Sequence, residues 1–126
     1  MKHKVLVIDD EIDICEMMRD IISPLGFEVL TTLSASEALT IVEKENVHLI
    51  ISDIMMPDMT GIDLIKQLRS KSYKYPVVFV SASDADEYLV KALQYGASDF
   101  ISKPFDSAEL IDLVKRLLAN VDASVA

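Results

Sequence analysis

The stretch "LIISDIMMPDMTG", residues 49–61, decides the fold because it joins an apolar run to an acid and then to a proline-containing loop. A near-continuous apolar run is typical of a strand that is buried on both faces, as in parallel sheets. Asp53 follows this run directly, and a carboxylate at the edge of an apolar core is unfavourable unless it is paired or used. The stretch therefore predicts a buried central strand that ends at a functional acid.

The rest of the chain repeats this pattern of strand and helix. Other apolar, β-branched runs lie at residues 4–9, 27–32, 76–82 and 99–104, and amphipathic stretches lie between and after them. Ser34 and Thr60 are candidate N-caps of the second and third helices. In the first helix, apolar residues at helical spacing predict the core-facing side: Ile14, Met17, Met18, Ile21 and Leu25. Five strand–helix units predict an α/β fold, a doubly wound parallel five-stranded sheet.

Length and charge restrict the classes of function. The chain has 126 residues and a net charge of −9, with 21 acids against 12 bases. This size fits one domain, which we expect over residues 1–120, with 121–126 as a C-terminal tail or the start of a linker. The sequence shows no basic patch of the kind that nucleic-acid-binding proteins carry, so direct nucleic-acid binding is not expected. No apolar run is long enough for a membrane span. The single cysteine, Cys15, gives no sign of an oxidising compartment, so a cytoplasmic location is expected.

Polar residues mark the carboxyl ends of four predicted strands, where ligands bind in sheets of this kind. Asp9 and Asp10 end the first strand, Asp53 the third, Ser81 the fourth and Lys103 the fifth. Oxygen ligands without a cluster of His or Cys favour a hard cation such as Mg²⁺. Asp53, between a metal and an ammonium group, fits a nucleophile that accepts a phosphoryl group as an acyl phosphate.

Each of these residues also has an ordinary structural interpretation. Asp9 and Asp10 could form a strand-end turn and a helix cap. Ser81 could be a strand-end hydroxyl, and Lys103 a loop lysine without a partner. Residue types and spacing leave these alternatives open, and the combination of all the groups at one edge favours the functional interpretation.

Four motifs in register with the five units strengthen that interpretation. They are "VIDDE" (7–11), "SDIMMPDMTG" (52–61), "SA" (81–82) and "KPF" (103–105). In order and spacing, over essentially the whole chain, this set resembles the receiver domain of two-component response regulators, the chemotaxis-regulator-like domains. The resemblance implies a flavodoxin-like fold with strand order 2-1-3-4-5.

The resemblance also implies roles for individual residues. Asp53 is expected to be the phosphoacceptor, and Lys103 to be a phosphate-binding lysine that precedes a cis Pro104. Asp9, Asp10, Asp53 and the backbone carbonyl of Met55 are expected to hold one Mg²⁺. The expected phosphodonor is a histidine kinase or a phosphotransfer protein, so the chain is not expected to be an enzyme that acts on external substrates.

The resemblance further implies a switch in which Ser81 and Phe100 respond to the phosphoryl group. The face built from the fourth helix, fifth strand and fifth helix would then select a downstream protein partner. A homodimer is a further candidate assembly that the sequence leaves open. We also expect Met55 and Ser83, two residues beyond Asp53 and Ser81, to tune the lifetime of the phosphorylated form. Neither residue orients an attacking water well.

Two other classes of function compete with a phosphoacceptor module. A metal-dependent phosphatase with an Asp nucleophile would use similar chemistry, but such enzymes usually carry an Asp-x-Asp pattern after the first strand. Here Asp9 and Asp10 are adjacent. A non-phosphorylated interaction domain is the third class, and it would have no need of the complete set of acids, hydroxyl and lysine.

Overall fold

The computed structural model describes residues 3–81 and 86–125, and for residue 86 and residues 120–125 it describes the backbone alone. Within these ranges strands and helices alternate along the chain, as the sequence predicts. The strands are β1 (Lys4–Ile8), β2 (Glu28–Thr32), β3 (Leu49–Asp53), β4 (Val77–Ser81) and β5 (Asp99–Ser102). The helices are α1 (Ile12–Ile22), α2 (Ala35–Lys44), α3 (Gly61–Ser70), α4 (Asp86–Gln94) and α5 (Ser107–Val125).

The five strands form one sheet in the order β2-β1-β3-β4-β5, and every neighbouring pair is parallel. This is the predicted order, and β3 lies at its centre between β1 and β4. In the register, Ile8 pairs with Ser52, Asp53 with Val80, and Ser81 with Ser102. The carboxyl ends of β1, β3, β4 and β5 therefore lie along one edge of the sheet, which places the residues that follow them close together.

Two apolar layers cover the sheet, because alternate side chains of a strand point to opposite faces. Leu6 and Ile8 of β1 pack with helices α2, α3 and α4, whereas Val5 and Val7 pack with α1 and α5. Leu6 and Val7 of β1 and Ile50 and Ile51 of β3 are fully buried. Burial on both faces explains why these strands lack the polar alternation of a half-exposed sheet. No helix in the described ranges combines the length and apolar character needed to cross a membrane.

The predicted apolar stripe of α1 is partly wrong. The buried residues are Cys15, Met18 and Ile22, whereas Met17 is exposed and Ile14 is half-buried. The Cys15 thiol donates to the backbone carbonyls of Asp9 and Thr32 across 3.5 and 3.8 Å. A small side chain suits this close approach of α1 to the strand ends. Apolar residues lie on neighbouring faces of α1, so helical spacing alone did not distinguish the exposed Met17 from the buried Cys15.

The end of the last helix also differs from expectation. We expected residues 121–126 to form a tail or the start of a linker beyond the domain, but the backbone of α5 remains helical through Val125. Residues 121–125 contain neither glycine nor proline, so the local sequence carries no signal that stops a helix.

Candidate functional site at the carboxyl edge of the sheet

Three acids meet at this edge. Asp9 and Asp10 follow β1, and Asp53 is the last residue of β3. Each offers a carboxylate oxygen, and these three oxygens lie within 4.8 Å of one another. Asp9 is buried, Asp53 is half-buried and Asp10 is exposed. The group therefore has a dry side against the sheet and an open side toward solvent.

Asp9 is the most constrained of the three. Its side chain is 1% exposed, and one carboxylate oxygen accepts a hydrogen bond from the Glu11 backbone N–H across 2.9 Å. Burial raises the pKa of Asp9, and the neighbouring charge of Asp53 adds to this rise. The Glu11 hydrogen bond and the Lys103 ammonium act in the opposite direction without cancelling it. An ionised Asp9 is thus held at a free-energy cost that a cation would offset.

Lys103 reaches this acidic group from the loop after β5. Its Nζ lies 3.2 Å from Asp53 Oδ2 and 3.4 Å from Asp9 Oδ2. Its backbone N–H donates to the Ser81 carbonyl across 2.7 Å, which fixes the loop to the end of β4. Burial alone would lower the pKa of Lys103, but Asp53 and Asp9 together outweigh it and the pKa is raised. The expected cis Lys103–Pro104 bond is present.

Backbone contacts next to the acidic group join the two ends of the loop between β3 and α3. Met55 donates its backbone N–H to Asp53 Oδ1 across 3.1 Å and pairs with Thr60 in a short antiparallel bridge. Gly61 donates to the Ile54 carbonyl across 2.7 Å. A Cβ on Gly61 would lie 2.5 Å from the Phe79 ring, so only glycine fits where α3 begins. The predicted cap is confirmed, because Thr60 Oγ1 accepts from the Asp63 N–H.

Asp58, at the tip of this loop, makes contacts that the sequence does not predict. Asp58 accepts hydrogen bonds from the Ser36 hydroxyl at 2.7 Å and from the Ser36 N–H at 2.8 Å. These bonds, the side-chain bond foremost, lower the pKa of Asp58. No local motif predicts this contact because its partners lie 22 residues earlier in the chain.

The candidate switch and lifetime residues differ from the acids in their burial and in their hydrogen bonds. The Ser81 side chain is buried, and its hydroxyl has no hydrogen-bond partner among residues 3–81 and 86–125. Phe100 lies in the edge strand β5 and is 42% exposed. The Met55 side chain is 48% exposed. Ser83 and Ala82 lie outside the described residues.

The donor set is suited to a magnesium ion. The three acids supply oxygen ligands alone, which is the chemistry that hard divalent cations prefer. Their convergence on a buried carboxylate with a raised pKa is a second observation in favour of a cation. Asp9, Asp10, Asp53 and the carbonyl of Met55 are the groups that would hold it.

Comparisons with known proteins agree with this geometry. The family model described as "Response regulator receiver domain" matches residues 5–115. A Bacillus subtilis alkaline phosphatase synthesis transcriptional regulatory protein, PhoP, is 36% identical over 118 residues, which is 94% of this chain and 49% of the relative. The Enterococcus gallinarum regulatory protein VanRc is 33% identical over 94% of this chain and 51% of its own length. The chain thus spans about half the length of these relatives.

Solved structures show the same similarity in three dimensions. The receiver domain of Francisella response regulator 1452 superimposes with a TM-score of 0.88 at 33% identity, over 95% of this chain and 99% of that one. The Vibrio cholerae chemotaxis protein CheY4 gives a TM-score of 0.86 at 33% identity, over 93% and 99%. With the fold, the strand order and the family match in agreement, the chain belongs to the response regulator receiver domains of two-component systems.

Proposed function

We propose that this receiver domain is a phosphoacceptor module in which Asp53 takes a phosphoryl group from a histidine kinase or a phosphotransfer protein. The observation that carries the proposal is the position of Asp53, whose carboxylate lies 3.2 Å from Lys103 Nζ within the three-acid group. A half-buried carboxylate beside a fixed cation is arranged to accept an anionic group and to hold it.

The transfer exchanges one bond of phosphorus for another. A carboxylate oxygen of Asp53 forms a P–O bond while the P–N bond of a phosphohistidine breaks, and the leaving imidazole takes up a proton. Lys103 pairs with the oxygens of the transferred group, since its ammonium already lies beside Asp53. A bound Mg²⁺ would offset the negative charge of that group. The domain thus modifies its own side chain rather than turning over an external substrate.

Incubation with Mg²⁺ and acetyl phosphate, followed by intact-mass measurement, tests this function. We expect one phosphate adduct per chain that hydroxylamine removes, as an acyl phosphate should be removed. Turnover of many equivalents of an added phosphomonoester would instead favour a phosphatase with an Asp nucleophile. No adduct at all would favour a non-phosphorylated interaction domain.

The proposed switch rests on the buried hydroxyl of Ser81, which has no hydrogen-bond partner in the described part of the chain. A phosphoryl group on Asp53 would offer that buried hydroxyl an acceptor, draw the loop after β4 inward and leave space for Phe100 to turn toward the core. NMR spectra of the Phe100 ring, with and without a phosphate mimic such as beryllofluoride, test this step. We expect the ring resonances to shift on addition of the mimic. An unchanged Phe100 environment would contradict the switch.

The lifetime of the phosphorylated form is proposed to depend on Met55 and Ser83. Hydrolysis of an acyl phosphate needs a water oriented for in-line attack, and a thioether orients water poorly. Met55→Asn is therefore expected to speed the loss of the adduct, as measured by intact mass over time. Met17→Asn, at an exposed methionine of α1, is the matched control and should leave decay unchanged. Equal or slower decay in Met55→Asn would exclude this role.

The proposed output surface is the face of α4, β5 and α5. Several apolar side chains are exposed on α4, at its end and on β5, and they are suited to a protein contact: Tyr88, Val90, Leu93, Tyr95 and Phe100. A downstream protein or a second copy of the chain would bind here after the switch, without direct contact to nucleic acid or membrane. Sedimentation with and without the phosphate mimic tests whether a homodimer forms.

We further propose that the domain spans residues 1–120 and that it acts in the cytoplasm.

A further inference from the structure

Helix α2 receives part of its N-terminal cap from a distant loop. The first turn of a helix leaves backbone N–H groups without partners inside the helix. In α2, the Glu37 N–H is bonded by the Ser34 hydroxyl at 3.0 Å, which confirms the predicted cap. The Ala35 and Ser36 N–H groups are bonded by Asp58 instead, at 3.4 and 2.8 Å. The start of α2 is therefore completed by the loop that follows Asp53.

The same loop carries groups of the proposed metal site. Its first part is held at the acids by the bond from the Met55 N–H to Asp53, and its ends are closed by the pairing of Met55 with Thr60. The tip of the loop is held by the Asp58 carboxylate on α2. The peptide that bears the Met55 carbonyl therefore lies between these two attachments.

We propose that Asp58 is a positioning residue for magnesium binding, because it holds the β3–α3 loop against α2 and so orients the Met55 carbonyl. This inference rests on the proposed function, in which Mg²⁺ binds beside Asp53. Asp58 lies three residues beyond Met55 and is not itself one of the proposed ligands. It acts through the loop, in the way that groups behind the ligands of a metal site set the orientation of those ligands.

The chemistry of the contact favours a firm attachment. Asp58 Oδ2 accepts hydrogen bonds from both the hydroxyl and the N–H of Ser36. Because the carboxylate is charged, each of these bonds is stronger than a bond to a neutral acceptor. The N-terminal end of a helix also attracts a negative charge. Loss of the carboxylate would release the tip of the loop while the bonds at Asp53 and Gly61 remain.

Replacement of Asp58 by Ala in the full chain tests the proposal. We expect the dissociation constant for Mg²⁺, measured by calorimetric titration, to rise by about tenfold. We expect the rate of phosphorylation by acetyl phosphate at saturating Mg²⁺ to stay within about twofold, because the ligands and Lys103 are unchanged. Asp58→Asn keeps one acceptor oxygen and should restore part of the affinity, by about threefold relative to Asp58→Ala.

Ser34→Ala separates positioning from mere stability. It removes the Glu37 N–H cap of α2 and one longer contact to Asp58, so it should lower the melting temperature. It leaves the Ser36 bonds to Asp58 in place, so the affinity for Mg²⁺ should stay within about twofold of the unaltered chain. A loss of affinity in Ser34→Ala equal to that in Asp58→Ala would overturn the specific role of Asp58.

NMR amide shifts test the connection between Asp58 and the metal site independently of protein stability. In the unaltered chain, Mg²⁺ should shift the amide resonance of Ser36 together with that of Met55, because Asp58 connects the two. In Asp58→Ala the Ser36 shift should disappear while the Met55 shift remains. Saturable Mg²⁺ binding with equal affinity in both proteins would overturn the positioning role alone. Absence of saturable Mg²⁺ binding in the unaltered chain would overturn the metal site proposed above and this inference with it.

Discussion

Asp53→Asn is expected to reduce phosphoryl incorporation from acetyl phosphate to below detection by intact mass. The amide has no negative charge and no free carboxylate oxygen, so it cannot form an acyl phosphate. The substitution keeps the side-chain oxygen that accepts from the Met55 N–H at 3.1 Å. The loop after β3 should therefore remain closed, and the loss of the adduct will report on chemistry rather than on folding.

The structure offers a matched control for this substitution. Asp112 is exposed on α5, away from the three-acid group. Asp112→Asn removes the same charge and should leave the adduct unchanged, which separates the effect of net charge from the loss of the acceptor. Circular dichroism of both variants should match that of the unaltered chain. An adduct at full stoichiometry in Asp53→Asn would place the phosphoryl group on another residue and contradict the proposed function.

The sheet could be predicted from the sequence because burial on both faces leaves a direct signal. Residues 5–8 and 49–51 carry only apolar side chains, and the structure places them in the adjacent strands β1 and β3. The order of the strands came from the resemblance, since periodicity does not report which strands are neighbours. The buried side of α1 was less predictable, because apolar residues also lie beside the buried set of Cys15, Met18 and Ile22, so helical spacing alone does not select one face. The packed structure selects the face on which the Cys15 thiol contacts the ends of β1 and β2.

The acidic edge could also be anticipated, since carboxyl ends of parallel strands meet by the topology alone. The structure adds what topology does not supply, namely that Lys103 lies between Asp53 and Asp9 and that Asp9 is buried. Asp58 had no local signal. Its partners belong to another strand–helix unit, and only the packed structure brings the loop to the start of α2.

Asp9→Asn is expected to have opposite effects on stability with and without magnesium. In the metal-free protein the buried Asp9 carboxylate has a raised pKa, so its ionised form is disfavoured by folding. The amide keeps an oxygen for the Glu11 N–H, and Lys103 keeps Asp53 as a partner. We expect the free energy of unfolding to rise by roughly 1 kcal/mol at neutral pH, measured by urea denaturation in the presence of a chelator.

The dependence on pH has a defined sign. A carboxyl whose pKa is raised by folding binds its proton more tightly in the folded state, so it lowers stability as pH rises above its unfolded pKa of about 3.9. The variant lacks this titration. Its advantage over the unaltered metal-free protein should therefore be small at or below about pH 4 and should grow as pH increases through the range in which the folded Asp9 ionises.

Magnesium should reverse the order of stability. The unaltered chain gains stability as Mg²⁺ binds its folded state, whereas Asp9→Asn lacks one carboxylate ligand and should bind Mg²⁺ at least roughly tenfold more weakly. Asp10→Asn is the matched control, because Asp10 is an exposed member of the same group. It should lose Mg²⁺ affinity with little change in metal-free stability, since an exposed charge is already solvated. A metal-free Asp9→Asn variant that is less stable than the unaltered chain would mean that the ion pair with Lys103 outweighs the burial of Asp9.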